Sequence, residues 1–572
     1  MRTDRDLEDE LARIDRRGYP AYKDLRGSYA FEGFDLAVEH VQGDPFAAPS
    51  LLSVHVPERV AGWPRDLSDA PHRRVALEDF LVRRLSRALA RRSHEVGGSG
   101  KSGLMATVRP GPEVLSRSAC EVGGGGVTAR FEVGFPAHGR SCDARALARI
   151  LLDLVPACVD EALVADEASL AVAARAVELA DDQHFVRAEL KRLGLVAFVA
   201  DGSVLPRESG VSSRPMAGAV PFRSPGSLRV TLDLPHRGPT SGMAVRRGVT
   251  LVVGGGYHGK STLLKALQEG VYDHVAGDGR ELVITDDTAV KLRAEVGRAV
   301  AGVDISLFIG ELPSGQDTRR FSTLDASGST SQAAGTVEAL AAGARALLID
   351  EDTSATNFMV RDRLMEAVVS REHEPITPFV ERVRDLWERA GVSSVIVAGS
   401  SGAFFSVADV VLQMDRYEAH DITDRARETC ERLGAPATPS APGFETPRES
   451  GTVRVDAREE RPARGGRGRA PREPKAKAFG TDEVQLGRGG ANLRLVEQLV
   501  DGAQVAALAQ LVRLAWREGL LEGRLSAREV CERVYDELGR DGWQALGGPG
   551  VGCGLALPRP QELAATLRRW RN

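Results

Sequence analysis

Apolar and polar side chains alternate along Leu51–Val56 and again along Val127–Val133, the spacing of half-buried strands. Leu77–Leu85 and Ala144–Val164 instead repeat at helical spacing. From about Asp166 a long helical stretch leads into the apolar run Gly194–Val199. Between Gly248 and Leu412, the runs Leu251–Val253, Leu282–Ile284, Ala346–Ile349 and Val395–Val397 alternate with helical segments. That order predicts α/β layering around a largely parallel sheet. The pattern lapses from Gly434 to Ala478, where Pro, Gly, Ser, Glu and Arg crowd out bulky apolar residues. Such a stretch cannot bury enough surface to offset its ordering entropy, and it reads as a flexible linker. Helical spacing returns afterwards through Leu499, Val500, Ala503, Ala506, Ala507, Leu508 and Leu511, and Ser526–Glu529 has the form of a capping box. Four segments follow: an α+β region over 1–165, an α/β region with a mixed sheet over 166–430, a linker over 431–480 and a small helical region over 481–572.

Composition narrows the class. The 572 residues carry 75 Lys plus Arg against 80 Asp plus Glu, so any basic surface for a polyanion must be local. No apolar run reaches the ~18 residues of a membrane span, and Met1–Arg17 lacks the apolar stretch of a secretion signal. The six cysteines are dispersed, with no C-x-x-C pair, which argues against zinc and disulfides. The expectation is a cytoplasmic protein without a membrane partner.

The sharpest chemistry lies at Gly254-Gly255-Gly256-Tyr257-His258-Gly259-Lys260-Ser261-Thr262. It fits G-x-x-x-x-G-K-[ST], follows an apolar strand and opens a helical run. Glycines let successive N–H groups turn inward on phosphate oxygens, and the helix N-terminus adds partial positive charge. Lys260 is placed for β- and γ-phosphates and Ser261 for Mg²⁺, so the nine residues form a candidate ATP/ADP site. A second glycine-rich string, Gly97–Ser102, contains GKS, but Glu95 stands where the first glycine is required. It reads as a mobile loop offering Lys101 to a polyanion rather than as a second nucleotide site. The strand Ala346–Ile349 ends in Asp350-Glu351. Asp350 is the candidate Mg²⁺ carboxylate, and Glu351 the candidate base for an attacking water. Ahead of it, Asp325–Gln332 is a small, hydroxyl-rich turn entering a helix, a further anion site in principle.

With these strings stand Arg17–Asp24, His40–Ser50, Gly100–Leu104, Val303–Ser306 and Asp350–Met359. Together they resemble the predicted "ATPase of the ABC class" family, soluble proteins related to a trypanosome mitochondrial ATPase associated with RNA editing. The resemblance covers nearly the whole chain apart from the linker and the extreme N-terminus. It implies a P-loop ABC-type ATPase domain and a homodimer in which ATP lies between one P-loop and the partner's Ser327, Gly328, Ser329 and Gln332. It also implies that 354–357 is a D-loop and leans toward RNA as a partner. Two departures stand out. The signature usual in ABC-type ATPases, LSGGQ, reads Ala326–Gln332 here, and the position of the ABC switch histidine, after Val395–Val397, holds Gly399-Ser400-Ser401. Serine carries no charge at neutral pH, so turnover slower than a transporter's is expected, with Ser400 and Ser401 as site candidates. Gln316 lies in the interval of the Q-loop, but its flanks do not settle it.

Residues 454–478 hold nine basic side chains against four acids. Arg464–Arg469 resembles RGG segments that bind nucleic-acid backbones, and equally a solubilising spacer. Clusters at Arg83, Arg84, Arg87, Arg91 and Arg92 offer an N-terminal surface facing nucleic acid, or a solvated helix face. The reading is a Mg²⁺-dependent ATPase homodimer coupled to RNA or another nucleic acid. The alternative is a nucleotide-gated scaffold that does not turn over; transporter subunit and kinase are poorer fits.

Overall fold

A computed structural model describes residues 2–123, 125–361, 368, 374–434, 441, 443–445, 451–456, 473–547 and 550–571. The chain forms two compact units, Met1–Asp181 with Asp541–Leu557, and Asp182–Arg540 with Pro558–Asn572.

In the first unit a seven-stranded sheet centres on Ser50–Pro57 and Gly126–Val133, antiparallel from Ser50↔Val133 to Pro57↔Gly126. Both strands are buried on both faces rather than half-buried, because they lie inside the sheet and their side chains join one large apolar core. The helix Pro71–Arg92 packs beside Val155–Leu163. Arg83 pairs with buried Asp79, Arg92 with Glu161, and Arg84 donates to the Glu161 carbonyl, so much of the basic cluster is engaged within the unit. Two of the strings that carry the family resemblance serve as struts. Tyr19 and Tyr22 are buried and donate their hydroxyls to the carbonyls of Phe135 and Pro136 at 3.1 and 2.6 Å. Gln42, also buried, accepts the Phe135 N–H at 3.0 Å. The Gly97–Ser102 loop is tied down rather than free. Ser99, Lys101 and Gly103 spend their N–H groups on the carbonyls of Ala137, Pro45 and Gly134, leaving them unable to cradle an anion, and a short strand follows instead of a helix.

The second unit is built on a six-stranded sheet. Its order is Val290–Leu292, Ala346–Asp350, Ser393–Val397, Val249–Val253, Val410–Asp415 and Glu418–Asp421, parallel except for the last strand. The buried strands read as continuous apolar runs, as parallel strands covered on both faces do. A second, antiparallel sheet holds Leu195–Ala200 between Gly238–Arg246 and Val283–Thr285. The run Leu282–Ile284 therefore leaves the parallel sheet to which its place in the chain pointed: a short apolar run has no marker for which sheet receives it.

An antiparallel meander, Ala476–Phe479, Glu483–Leu486 and Gly489–Asn492, precedes the C-terminal helices Gly502–Arg517, Ala527–Asp541 and Pro560–Arg568. The Ser526 capping box is formed, Ser526 N–H and Oγ reaching Glu529 and Glu529 N–H reaching Ser526 Oγ. Inside the expected linker, Val453 and Val455 are buried and bond to the carbonyls of Leu525 and Leu521 at 2.8 and 3.1 Å. Two valines spaced as on a strand are enough to dock that stretch. Arg458, Arg461, Arg464, Arg467, Arg469 and Arg472 lie outside the described residues.

Glu78, buried in the first unit, accepts the Val122 N–H at 2.9 Å. Burial pushes its carboxyl up to about 7 despite that bond. The folded form thus holds a proton that the unfolded chain gives up near its ordinary value. Stability falls as pH rises from about 4.5 to 7, by about 3 kcal/mol at most. Glu78→Gln should flatten that decline, read as hydrogen-exchange protection of Ser50–Pro57 at pH 5 and pH 7.

Candidate nucleotide site

Three neighbouring parallel strands end at one edge of the sheet, and each delivers part of the site. Val252 and Asp350 both register on Val397, so the loops after 253, 350 and 397 leave the sheet together. In an open parallel sheet this carboxyl edge is where ligands bind.

The glycine loop runs from Val253 to the helix Lys260–Glu269. Gly254 has φ +143°, and a Cβ there would sit 2.3 Å from the Met414 carbonyl oxygen. Gly259 caps the helix at φ +99°, where a Cβ would meet the Tyr417 ring at 2.9 Å. These two positions require glycine. Gly255, Gly256 and Tyr257 are exposed, and Tyr257 takes the left-handed conformation at φ +63° without being glycine, a strain tolerated mostly at functional loops. Lys260 Nζ donates to the carbonyls of Gly254 and Gly255 at 2.8 and 2.9 Å, curling back over the loop it follows. His258 pins the loop from its other side. Its carbonyl accepts the Tyr417 N–H at 3.1 Å, and its Nδ1 lies 2.8 Å from Asp415 and 3.1 Å from the Arg416 nitrogen. Thr262 is half-buried in the first helical turn.

Ser261 Oγ donates to Asp350 Oδ2 at 3.3 Å, the bond that joins the glycine loop to the acidic strand end. Asp350 is buried and also caps the turn after it through the Asp352 N–H at 3.3 Å. Glu351 faces the third strand end. It accepts N–H bonds from Gly399 at 2.7 Å and Ser400 at 3.1 Å, and the Ser400 hydroxyl at 2.8 Å. Burial pushes its carboxyl up, but the Ser400 N–H and hydroxyl, with the Gly399 and Ser401 N–H groups, outweigh it and hold the group below its ordinary value. Glu351 is thereby a carboxylate at neutral pH.

The hydroxyl-rich turn divides into two kinds of residue. Ser327 is exposed and caps the helix Gly328–Ala341 through the Thr330 N–H, with Ser329 Oγ 3.4 Å away. A Cβ on Gly328 would meet the Ala355 methyl at 3.4 Å. Gln332, expected beside them at the nucleotide, is buried. Its amide donates to Ser354 Oγ at 2.9 Å and accepts the Ala355 N–H at 2.8 Å. Five residues, about 1.4 turns, beyond the exposed Ser327 cap, position 332 falls on the inner face, so its amide braces the 354–355 segment. Gln316 is exposed, its carbonyl 3.4 Å from Ser314 Oγ.

The sequence reading passed over two further features. Lys291, next to the acidic strand, reaches Thr353 Oγ1 at 3.4 Å; a lysine inside an apolar strand was its only signal. The turn at Arg416 and Tyr417 has φ +49° and +71°, yet neither residue is a turn former, so nothing in the string marked it. Among the described residues no group of three His, Cys, Asp or Glu could hold a metal by itself, and no helix is long and apolar enough to cross a membrane. Ser261 hydroxyl beside Asp350 carboxylate is a hard-oxygen pair of the kind that suits Mg²⁺.

Residues 133–446, more than half of the chain, match the family model described as ABC_ATPase, P-loop domain. The chain belongs to the ABC-class ATPase family. Residues 4–166 of this ABC-class ATPase match the model for the N-terminal region of ATPases of the ABC class, and 475–572 that for the MRB1590 C-terminal domain. An uncharacterized protein of Methanocaldococcus jannaschii, MJ1628, is 32% identical over 230 residues, covering 38% of this chain and 50% of the relative. The chain thus spans about half the length of the curated relative it matches. Among solved structures, the ADP conformation of MJ1267, an ATP-binding cassette of an ABC transporter, aligns at 15% identity and a TM-score of 0.23. That alignment covers 35% of this chain and 89% of the other. A bacterial Atm1-family ABC exporter with ATP bound gives 14% and 0.25, over 51% and 52%. The membership rests on the family models.

Gly254→Ala forces a side chain into the Met414 carbonyl at a backbone angle closed to alanine. It should cost about 1–3 kcal/mol and shift the thermal unfolding of the second unit downward.

Proposed function

We propose that this chain binds and hydrolyses ATP with Mg²⁺. The single observation that carries the reading is the Ser261–Asp350 contact, which brings the phosphate loop and the acidic strand end to one place. Lys260, Ser261 and Thr262, with the N–H groups of the loop, would hold the triphosphate; Ser261 and Asp350 would hold Mg²⁺, which supplies charge neutralisation on the phosphate oxygens. Glu351 is the general base. Its bonds to Gly399 and Ser400 keep it ionised and fix its orientation, both of which a base needs before a water is placed. Ser327, Gly328 and Ser329 act on the nucleotide of a second copy in a homodimer; the exposed cap at the start of the helix supports this, while Gln332 braces their placement from behind. Coupling to a nucleic acid, RNA by preference, draws on the family resemblance and the basic segment of 454–478. A cytoplasmic location belongs to the same reading.

The scaffold that binds nucleotide without turnover has two observations in its favour: the Gly399 and Ser400 donors already occupy Glu351, and serine stands where an ABC-type switch histidine is expected. Lys260→Ala should weaken ATP binding. Glu351→Gln should retain binding while slowing single-turnover hydrolysis by roughly 10²–10⁴. An unimpaired Glu351→Gln protein removes Glu351 as the base, and no phosphate release by the wild type, with or without RNA, favours the scaffold.

A further inference from the structure

The nucleotide site is braced from the C-terminal segment through a glutamine that no phosphate-site motif contains. Gln498 is 4% exposed, and its amide is bonded at both its oxygen and its nitrogen. Oε1 accepts the Lys291 N–H at 2.9 Å, while Nε2 donates to the carbonyls of Gln268 at 3.2 Å and Ala289 at 3.1 Å. Gln268 lies in the last turn of the helix that begins at Lys260, and Lys291 lies in the strand registered beside the one that carries Asp350. One side chain therefore spans the two halves of the site. The bracket is doubled. Gln268 Nε2 donates to the Glu497 carbonyl at 2.8 Å, the Tyr272 hydroxyl donates to the Gln498 carbonyl at 2.8 Å, and Gln504 Nε2 donates to that hydroxyl at 3.0 Å.

Lys291 continues the path inward. Its ammonium donates to the Leu292 carbonyl at 3.1 Å and reaches Thr353 Oγ1 at 3.4 Å; Thr353 Oγ1 in turn donates to the Asp350 carbonyl at 3.2 Å. Asp350 and Glu497 are the carboxylates that act on this charge. A buried amide bonded through both its oxygen and its nitrogen specifies one arrangement of its partners, and removing it takes a partner from three backbone groups, of which the Ala289 carbonyl keeps Arg559.

The geometry points to Lys291 and Gln498 as positioning residues of the nucleotide site, Gln498 setting the Lys291 strand against the phosphate-loop helix and Lys291 holding the Asp350–Thr353 turn so that Asp350 stays at Ser261. Resting on the nucleotide reading above, this makes the C-terminal segment a coupled element: what changes at the triphosphate must change the bracket, and the reverse.

The test uses the full chain, with Gln498→Ala, Lys291→Ala and Lys291→Met, the last keeping the apolar stem should alanine unfold the protein. ATP binding is measured by titration, kcat and KM by phosphate release, and amide exchange of 495–500 with and without ATP. The variants should bind ATP with KM within about threefold of wild type, lose at least ~10-fold in kcat, and Gln498→Ala should abolish an ATP-dependent slowing of exchange in 495–500 that the wild type displays. Wild-type kcat in folded variants, or exchange in 495–500 indifferent to ATP in a wild type that binds it, overturns the positioning role and leaves the nucleotide reading standing. A wild type that binds no ATP overturns both.

Discussion

Parallel pairing of three strands is the constraint on which the site depends. Val249–Val253, Ser393–Val397 and Ala346–Asp350 run side by side in register, so the loop that each emits must start within one or two strand spacings of its neighbours. Antiparallel pairing would have sent the acidic pair to the opposite edge from the glycine loop. A shift of one residue would also matter: it would turn Asp350 to the other face of the sheet, away from Ser261. The apolar side chains that bury the sheet set the chemistry at its end, since they alone enforce the register.

At that edge charge is managed by backbone groups as much as by side chains. Lys260 is held by two loop carbonyls, and Glu351 by N–H groups of the loop after Val397. The pairing is complementary. The ammonium rests on carbonyls that cannot bind a phosphate, leaving the loop's N–H groups to an anion, and the carboxylate rests on donors that favour its ionised form. Ser400, at the position where an ABC-type switch histidine is expected, bonds to the acid itself through its N–H and hydroxyl.

Much of this was legible because it is local. Gly254–Thr262, the strand before it and the helix after it form one contiguous string whose spacing dictates its geometry, and the acid couplet ends an apolar run of strand length. What escaped reading depends on partners distant in sequence. Gln332 has the same neighbours in the string whether it faces a nucleotide or Ser354; only the helix start at Gly328 decides that it faces inward. Leu282–Ile284 could have joined either sheet. The meander 476–492 and the docked pair Val453 and Val455 lie in polar, glycine-rich sequence, where two or three buried side chains suffice for a strand but not for a periodic signal.

Gln498 is the extreme case of that distance, more than 200 positions from the residues it joins. Its position has a physical logic. Val290–Leu292 is an edge strand of the parallel sheet, with no strand on its outer side to take its hydrogen-bonding groups. The Lys291 N–H on that side goes to the Gln498 amide, and Arg559 donates to the carbonyls of Asp287 and Ala289 just before the strand. The C-terminal segment therefore closes the open edge of the sheet with side chains, not with another strand. A strand would have locked the edge through a ladder of backbone bonds; a few side-chain bonds hold the same edge and leave it free to register a change at Asp350, two strand positions beyond Leu348, the residue opposite Lys291.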